Sequence, residues 1–167
     1  VKLADGKEEI FSAVIQGEPA TKTIVALPIG SFFGYQVAGV FQDENELATL
    51  PKFGGEKVGD LRFRDNDGDG VMTATDRATL GSPIPTLTYG VNLGAEWRGF
   101  DFAADLFGVR GNQVFNAKKT FRFGVYNWEK SEVDRWTVDN PSQTVPRATS
   151  GGGNYRVSDY FLEDGAF

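Results

Sequence analysis

Between Leu87 and Val109 apolar and polar positions alternate with period two, the signature of extended strands. The run "LTYGVNLGAEW" places Leu87, Tyr89, Val91, Leu93, Ala95 and Trp97 on one face. Thr88, Gly90, Asn92, Gly94 and Glu96 fall on the other. After Arg98-Gly99, the run "FDFAADLFGVR" sets Phe100, Phe102, Ala104, Leu106 and Gly108 against Asp101, Ala103, Asp105, Phe107 and Val109. A two-residue turn at Arg98-Gly99 pairs Trp97 with Phe100, Ala95 with Phe102, Leu93 with Ala104 and Val91 with Leu106. Every such pair lies on the apolar face, so turn length and pattern agree on one register. Arg is not a favoured first residue of a type I′ turn, which leaves the turn type open. On the opposite face Glu96 meets Asp101 and Asn92 meets Asp105.

Two environments suit this ribbon. In a soluble sandwich the apolar side covers a core. In a transmembrane barrel it meets lipid, with the polar side toward the lumen. Each strand has about eleven residues, enough to cross a bilayer at barrel tilt. Trp97 and Phe100 stand where an interfacial aromatic girdle would lie. The pattern alone leaves both open.

Elsewhere the periodicity is shorter. "GDLRFR" alternates Leu61 and Phe63 with Arg62 and Arg64 and reads as a strand. "GSFFGYQVAGVF", with Phe32, Tyr35, Val37 and Val40 beside glycines, reads as a short strand pair packed under a loop or as a wall of a ligand path. "RATLG" has room for one helical turn before Gly81, Pro83 and Pro85. "EKSEVDRW" suits a turn or two of helix docking Trp136, and "RATSGGGNYR" reads as a mobile tip. Arg122, Tyr126, Trp128 and Trp136 are the function-like side chains of the second half. Packing is a more frequent role for them than ligand contact.

The segment "DNDGDGVMTATDRATLG" crowds carboxylates around two glycines. Counted from Asp65, side-chain oxygens fall at positions 1, 3 and 5 (Asp65, Asp67, Asp69), with Gly70 at 6, Val71 at 7, Thr73 at 9 and Asp76 at 12. This is the spacing of the twelve-residue calcium loop, in which alternate oxygens converge on one cation and residue 7 supplies a carbonyl. The Val71 side chain is then expected to turn into an apolar contact. Asp76 replaces the usual bidentate Glu with a shorter arm. Calcium suits the set better than magnesium, which demands tight octahedral geometry. The plain alternative is a solvated acidic loop. With a strand pattern before it and no long helix after it, the loop reads as a structural staple rather than a switch.

Composition narrows the chemistry. Histidine and cysteine are both absent, which excludes Ser-His-Asp and Cys-His catalysis, thiolate metal sites and disulfides. The chain carries 23 acidic against 17 basic residues, a formal net charge of −6, with no basic run to track nucleic acid. Fourteen Phe, five Tyr, three Trp and 21 Gly favour β structure with many turns. The abrupt opening Val1-Lys2-Leu3, with no signal peptide, and the end "YFLEDGAF" read as a segment of something larger. Glu96, Asp101 and Asp105 have no companion nucleophile or oxyanion donor, so a polar wall accounts for them better than acid–base chemistry.

"PIGSFFGYQVAGVFQ" (28–42), "GDLRFRDNDGDGVMTATDRATLGSPIPTLTYGVNLGAEWRGFDFAADLFGVRGN" (59–112), "RWTVDNP" (135–141) and "FLEDGAF" (161–167) together resemble the C-terminal half of SusC/RagA-type TonB-dependent outer-membrane transporters of Bacteroidetes. The resemblance implies an all-β chain that is a fragment of a 22-stranded transmembrane barrel plugged from within. It implies one hairpin, 87–110, with a periplasmic turn at 98–99. Residues 1–86, carrying the calcium loop 65–76, would form one extracellular loop region. Residues 111–167 would form a second, leading into the next strand. It further implies a non-enzymatic importer of oligosaccharides or peptides. Such an importer works with a SusD-like surface lipoprotein, with TonB reached through a part absent here, and with outer-membrane lipid. The alternative is a calcium-stabilised soluble cell-surface β domain binding carbohydrate or protein. A carboxylate glycosidase comes third, without an assignable acid and nucleophile pair.

Overall fold

The computed structural model describes residues 9–10, 13–15, 17–121 and 129–167. Strands carry the chain: β1 (Glu9–Ile10), β2 (Val14–Ile15), β3 (Glu18–Pro19), β4 (Thr21–Ile24), β5 (Ser31–Gly34), β6 (Val37–Val40), β7 (Leu61–Phe63), β8 (Ala78–Gly81), β9 (Leu87–Trp97), β10 (Phe100–Arg110), β11 (Gln113–Phe115) and β12 (Leu162–Asp164). Among the described residues, helix is confined to α1 (Glu44–Thr49), α2 (Ala117–Phe121) and short 3₁₀ segments. The all-β expectation holds. No helix among the described residues is long and apolar enough to cross a membrane, which has no bearing on strands.

The β9–β10 ribbon has the register that the sequence dictates, from Phe100 opposite Trp97 to Arg110 opposite Leu87. Arg98 (φ 49°) and Gly99 (φ 84°) are both left-handed, which makes the turn type I′ and matches the right-handed twist of the strands. Tyr89 lies against Gly108, its cross-strand partner, where any side chain would collide with the Tyr89 ring. The whole of β9 is exposed, and the apolar row of Leu87, Tyr89, Val91, Leu93, Phe102 and Leu106 is about half accessible throughout. No second layer of the described residues covers it. On the other face the Asn92 amide donates to the Asp105 carboxylate.

Above the ribbon, the two stretches expected as separate loops interlock into one head. β1-β4-β5-β8 form a four-stranded sheet, and β6 pairs with β7. β5 and β6 are indeed short strands, but they do not pair with each other as the sequence suggests. Each finds a distant partner: Gly34 of β5 sits opposite Ala78, and Val40 of β6 opposite Leu61. Tyr35, Val40, Leu61, Phe63 and Met72 make the core, flanked by Val37, Phe53, Trp136 and Tyr160. Tyr35 and Phe53 meet edge to face at 5.0 Å. These aromatics are packing residues, the first of the two roles considered for them.

The C-terminal stretch completes this core. The Tyr35 and Leu61 amides donate to Val157 O (2.9 Å) and Asn154 Oδ1 (2.7 Å). At Gly34 a Cβ would stand 2.3 Å from Val157 O, so only glycine admits the crossing. Asp60, 7% exposed, takes Arg147 Nε at 2.7 Å and Nη2 at 3.2 Å, Asn154 Nδ2 at 3.1 Å and the Lys57 amide at 2.8 Å. The expected mobile tip is therefore tethered at both ends: Arg147 is ion-paired, and Asn154 and Tyr155 are buried. Local composition missed this because the partners are some 90 residues away. Lys130–Asp134 is 3₁₀, but Val133 is 72% exposed, so that turn docks nothing apolar. Trp136 packs instead on Gly59, where φ is +91° and a Cβ would come within 2.4 Å of the ring. Arg122, Tyr126 and Trp128 lie outside the described residues.

The chain end returns to the ribbon. β12 pairs with β11, and Phe167 exchanges both backbone hydrogen bonds with Val109. The last residues thus run antiparallel beside β10.

Replacing Asp60 by Ala strands a guanidinium and an amide and is expected to cost about 3–5 kcal/mol, read as a lower unfolding midpoint. Asp159 provides a pH test. Burial raises its carboxyl pKa, against the opposing hydrogen bond from the Val37 amide (2.8 Å). A raised folded-state pKa contributes stability at low pH that is lost as pH rises through it. Asp159→Asn keeps an acceptor for Val37. It is expected to flatten the pH dependence of the unfolding midpoint just above the ordinary aspartate range.

Candidate metal centre

Residues 65–76 connect β7 to β8, so both ends of the loop are fixed by sheet pairing. Gly68 (φ 78°) and Gly70 (φ 84°) take left-handed conformations, as the turn requires of them. With their help the Asp65 carboxylate caps the loop, accepting from the Gly68 amide at 2.6 Å and the Gly70 amide at 2.8 Å. Asp67 accepts from Thr75 Oγ1 at 2.6 Å.

Asp76 organises the rest. It is fully buried, and its oxygens accept from the Asn66 amide (2.8 Å) and the Thr73 amide (2.7 Å). The Thr73 hydroxyl oxygen in turn accepts from the Thr75 amide, closing a capping box around the 3₁₀ turn Ala74–Asp76. The helical turn expected over "RATLG" therefore sits earlier, because the capping pair fixes it there. Ala78–Gly81 is strand β8, held by pairing with β5.

One carboxylate oxygen each from Asp65, Asp67 and Asp76 lies within 4.8 Å of the others. The Asp69 carboxylate is not in this group; it accepts from the Val71 amide at 2.8 Å. The Thr73 hydroxyl is engaged with Thr75 Oγ1 at 2.6 Å. Val71 is 54% exposed, contrary to the expected apolar contact. That contact belongs to Met72, 4% exposed and part of the core. The loop is thereby nailed to the core one residue later than the pattern suggested. Of the four carboxylates among the six sequence-predicted ligands, the fold brings Asp65, Asp67 and Asp76 together and leaves Asp69 out of the group. Carboxylate oxygens that accept one hydrogen bond retain a further lone pair for a cation.

Arg77 carries the loop into the sheet. Its guanidinium donates to Pro19 O and, at 3.1 Å, to Phe33 O, and lies 4.8 Å above the Phe33 ring. Burial lowers its pKa, with Glu18 and Tyr35 acting the other way. Across the head, a polar open cleft of about 740 Å³ is bordered by Glu18, Glu56, Arg147, Gly151 and Arg156. Sequence reading did not foresee it, since its walls come from three separate stretches. Tyr155 also lines it, and the Phe53 ring next to Gly54 is covered by the Arg156 guanidinium at 3.9 Å.

Comparison with known proteins adds the wider frame. No family model matches the chain. It is 29% identical over 156 residues to TonB-dependent receptor P26 of Formosa agariphila, covering 90% of this chain and 16% of that protein. It is 28% identical over 173 aligned positions to TonB-dependent receptor P3 of the same organism, covering all of this chain and 17% of that protein. Among solved structures, the RagAB peptide importer in its open-open state matches with a TM-score of 0.63 at 22% identity, over 99% of this chain and 17% of that one. The chain spans about a sixth of the length of the relatives it matches. The SusC/RagA-type resemblance read from the sequence is borne out, and the fold is that of a segment of such a barrel protein.

Asp76→Ala removes the acceptor of the Asn66, Asp67 and Thr73 amides. It is expected to destabilise the loop by about 2–4 kcal/mol even without a cation, seen as faster hydrogen exchange at Asn66 and Thr73. Asp69→Asn, which loses a carboxylate but keeps an acceptor for Val71, is expected to leave that exchange unchanged.

Proposed function

We propose that this chain, similar in sequence and fold to a segment of SusC/RagA-type TonB-dependent transporters, serves as one membrane hairpin and its extracellular head in an outer-membrane importer. The observation that carries the reading is the β9–β10 ribbon: eleven residues per strand, with an apolar row that nothing in the described chain covers. Lipid is the environment that satisfies such a row, and the polar row with Glu96, Asp101 and Asp105 then lines the lumen. The I′ turn, being short, is periplasmic, and the interlocked head of residues before 87 and after 110 stands outside the cell.

The whole protein would import oligosaccharides or peptides together with a SusD-like lipoprotein, powered by TonB through its N-terminal part. No catalytic role is assigned. A binding role in a soluble surface domain is the competing reading, and detergent dependence separates the two. Residues 1–167 expressed without detergent are expected to aggregate through the apolar row. A stable monomer in plain buffer would favour the soluble domain.

Calcium is proposed for the 65–76 loop, with Asp65, Asp67 and Asp76 as its convergent carboxylates and Asp69, Val71 O and Thr73 drawn in on binding. The hard oxygen donors and the two left-handed glycines support this choice. The ion would brace the β7–β8 connection, since strands rather than movable helices flank the loop. Affinity is expected on the order of 10⁻⁴ to 10⁻³ M, the range of extracellular modules. Chelation is expected to open the loop to protease between Asp65 and Asp76, with protection restored by added calcium. Equal cleavage with and without chelator would remove the cation from the account.

A further inference from the structure

Arg98 occupies a backbone conformation that suits it poorly. At φ 49° in the first central position of a type I′ turn, Asn, Asp or Gly is the comfortable residue. Backbone strain of this kind is kept where the side chain is put to use. The Arg98 guanidinium carbon lies 5.1 Å from the centre of the Trp97 ring. Trp97 belongs to the apolar row, and Phe100 stands directly across from it. Both are widely exposed, at 68% and 73%. Two carboxylates, Glu96 and Asp101, face each other on the opposite side of the ribbon, one residue pair further in. A cation there would relieve their mutual repulsion. Arg98 instead stacks on the apolar side, and the ion pairs of the described residues do not include it.

We propose that Trp97, Arg98 and Phe100 form a phospholipid headgroup clamp at the tight-turn end of the ribbon. The inference rests on the reading of β9–β10 as membrane-spanning. The two aromatic side chains lie at the boundary between acyl chains and headgroups, where amphipathic and aromatic groups collect. The guanidinium, held against Trp97, presents its planar donor fork to the phosphate oxygens, a match that a lysine ammonium does not reproduce. The occupant is the phosphate of a membrane lipid rather than a soluble anion, because the guanidinium is positioned by a ring that itself faces lipid.

The test uses the full-length receptor in detergent, titrated with dioleoylphosphatidylglycerol, dioleoylphosphatidylcholine or phosphate-free dioleoylglycerol and read by native mass spectrometry. Arg98→Asn gives the turn a better residue, so its unfolding midpoint should be equal or higher. It should nevertheless bind both phospholipids about threefold more weakly or worse. Arg98→Lys should fall between the two, and Trp97→Ala should lose binding with the charge intact. Dioleoylglycerol binding should not distinguish the variants. Undiminished phospholipid binding by Arg98→Asn overturns the clamp, as does an equal loss for dioleoylglycerol. A receptor that takes up no lipid and stays monomeric without detergent would instead sink the membrane reading on which the clamp stands.

Discussion

A carboxylate taken out of water must be met by donors, and Asp60 is where this chain meets that demand. Four hydrogen bonds converge on it from Lys57, Arg147 and Asn154, and the adjacent Leu61 amide is satisfied by Asn154 as well. One buried charge thus fixes the position of a stretch some 90 residues downstream. With it come the Arg147–Gly59 backbone bond, the Trp136 ring over Gly59 and the closure of the core by residues 154–161. Two connections that would be independent loops become a single head. The head thereby takes a defined shape without any helix bundle or sandwich of its own.

The ribbon below obeys the opposite rule. Its backbone is satisfied on the inner edge and, near Val109, by the chain end, but its side chains find no core. A two-stranded hairpin is marginal by itself in water, and an exposed apolar row invites edge-to-edge association. Both problems vanish within a closed barrel in lipid. On the proposed reading, the head and the ribbon are stabilised by different solvents: the head by packing away from water, the ribbon by a hydrocarbon surround and neighbouring strands.

The acidic loop belongs to the head. Its carboxylates do two things at once, since the Asp65 and Asp76 groups that converge with Asp67 also cap the loop's own amides. The chain geometry is pre-shaped by internal bonds, and Met72 on one side and Arg77 on the other transmit that shape to the core and to strands β3 and β5. A cation would add charge neutralisation to a frame the protein already holds.

The sequence by itself determined whatever depends on neighbours a few residues apart. The register of β9 and β10 followed from period-two alternation and a two-residue turn, and the spacing of Asp65, Asp67 and Asp76 followed from the turn preferences of Gly68 and Gly70. Tertiary structure decided whatever depends on pairing over long distance. That β5 and β6 choose separate partners, that "RATLG" extends as a strand, that Met72 rather than Val71 is buried, and that Asp60 needs Arg147 all turn on contacts between residues far apart in the chain. A short segment carries a local preference of well under a few kcal/mol, and the burial of a ring or the satisfaction of a buried charge outweighs it.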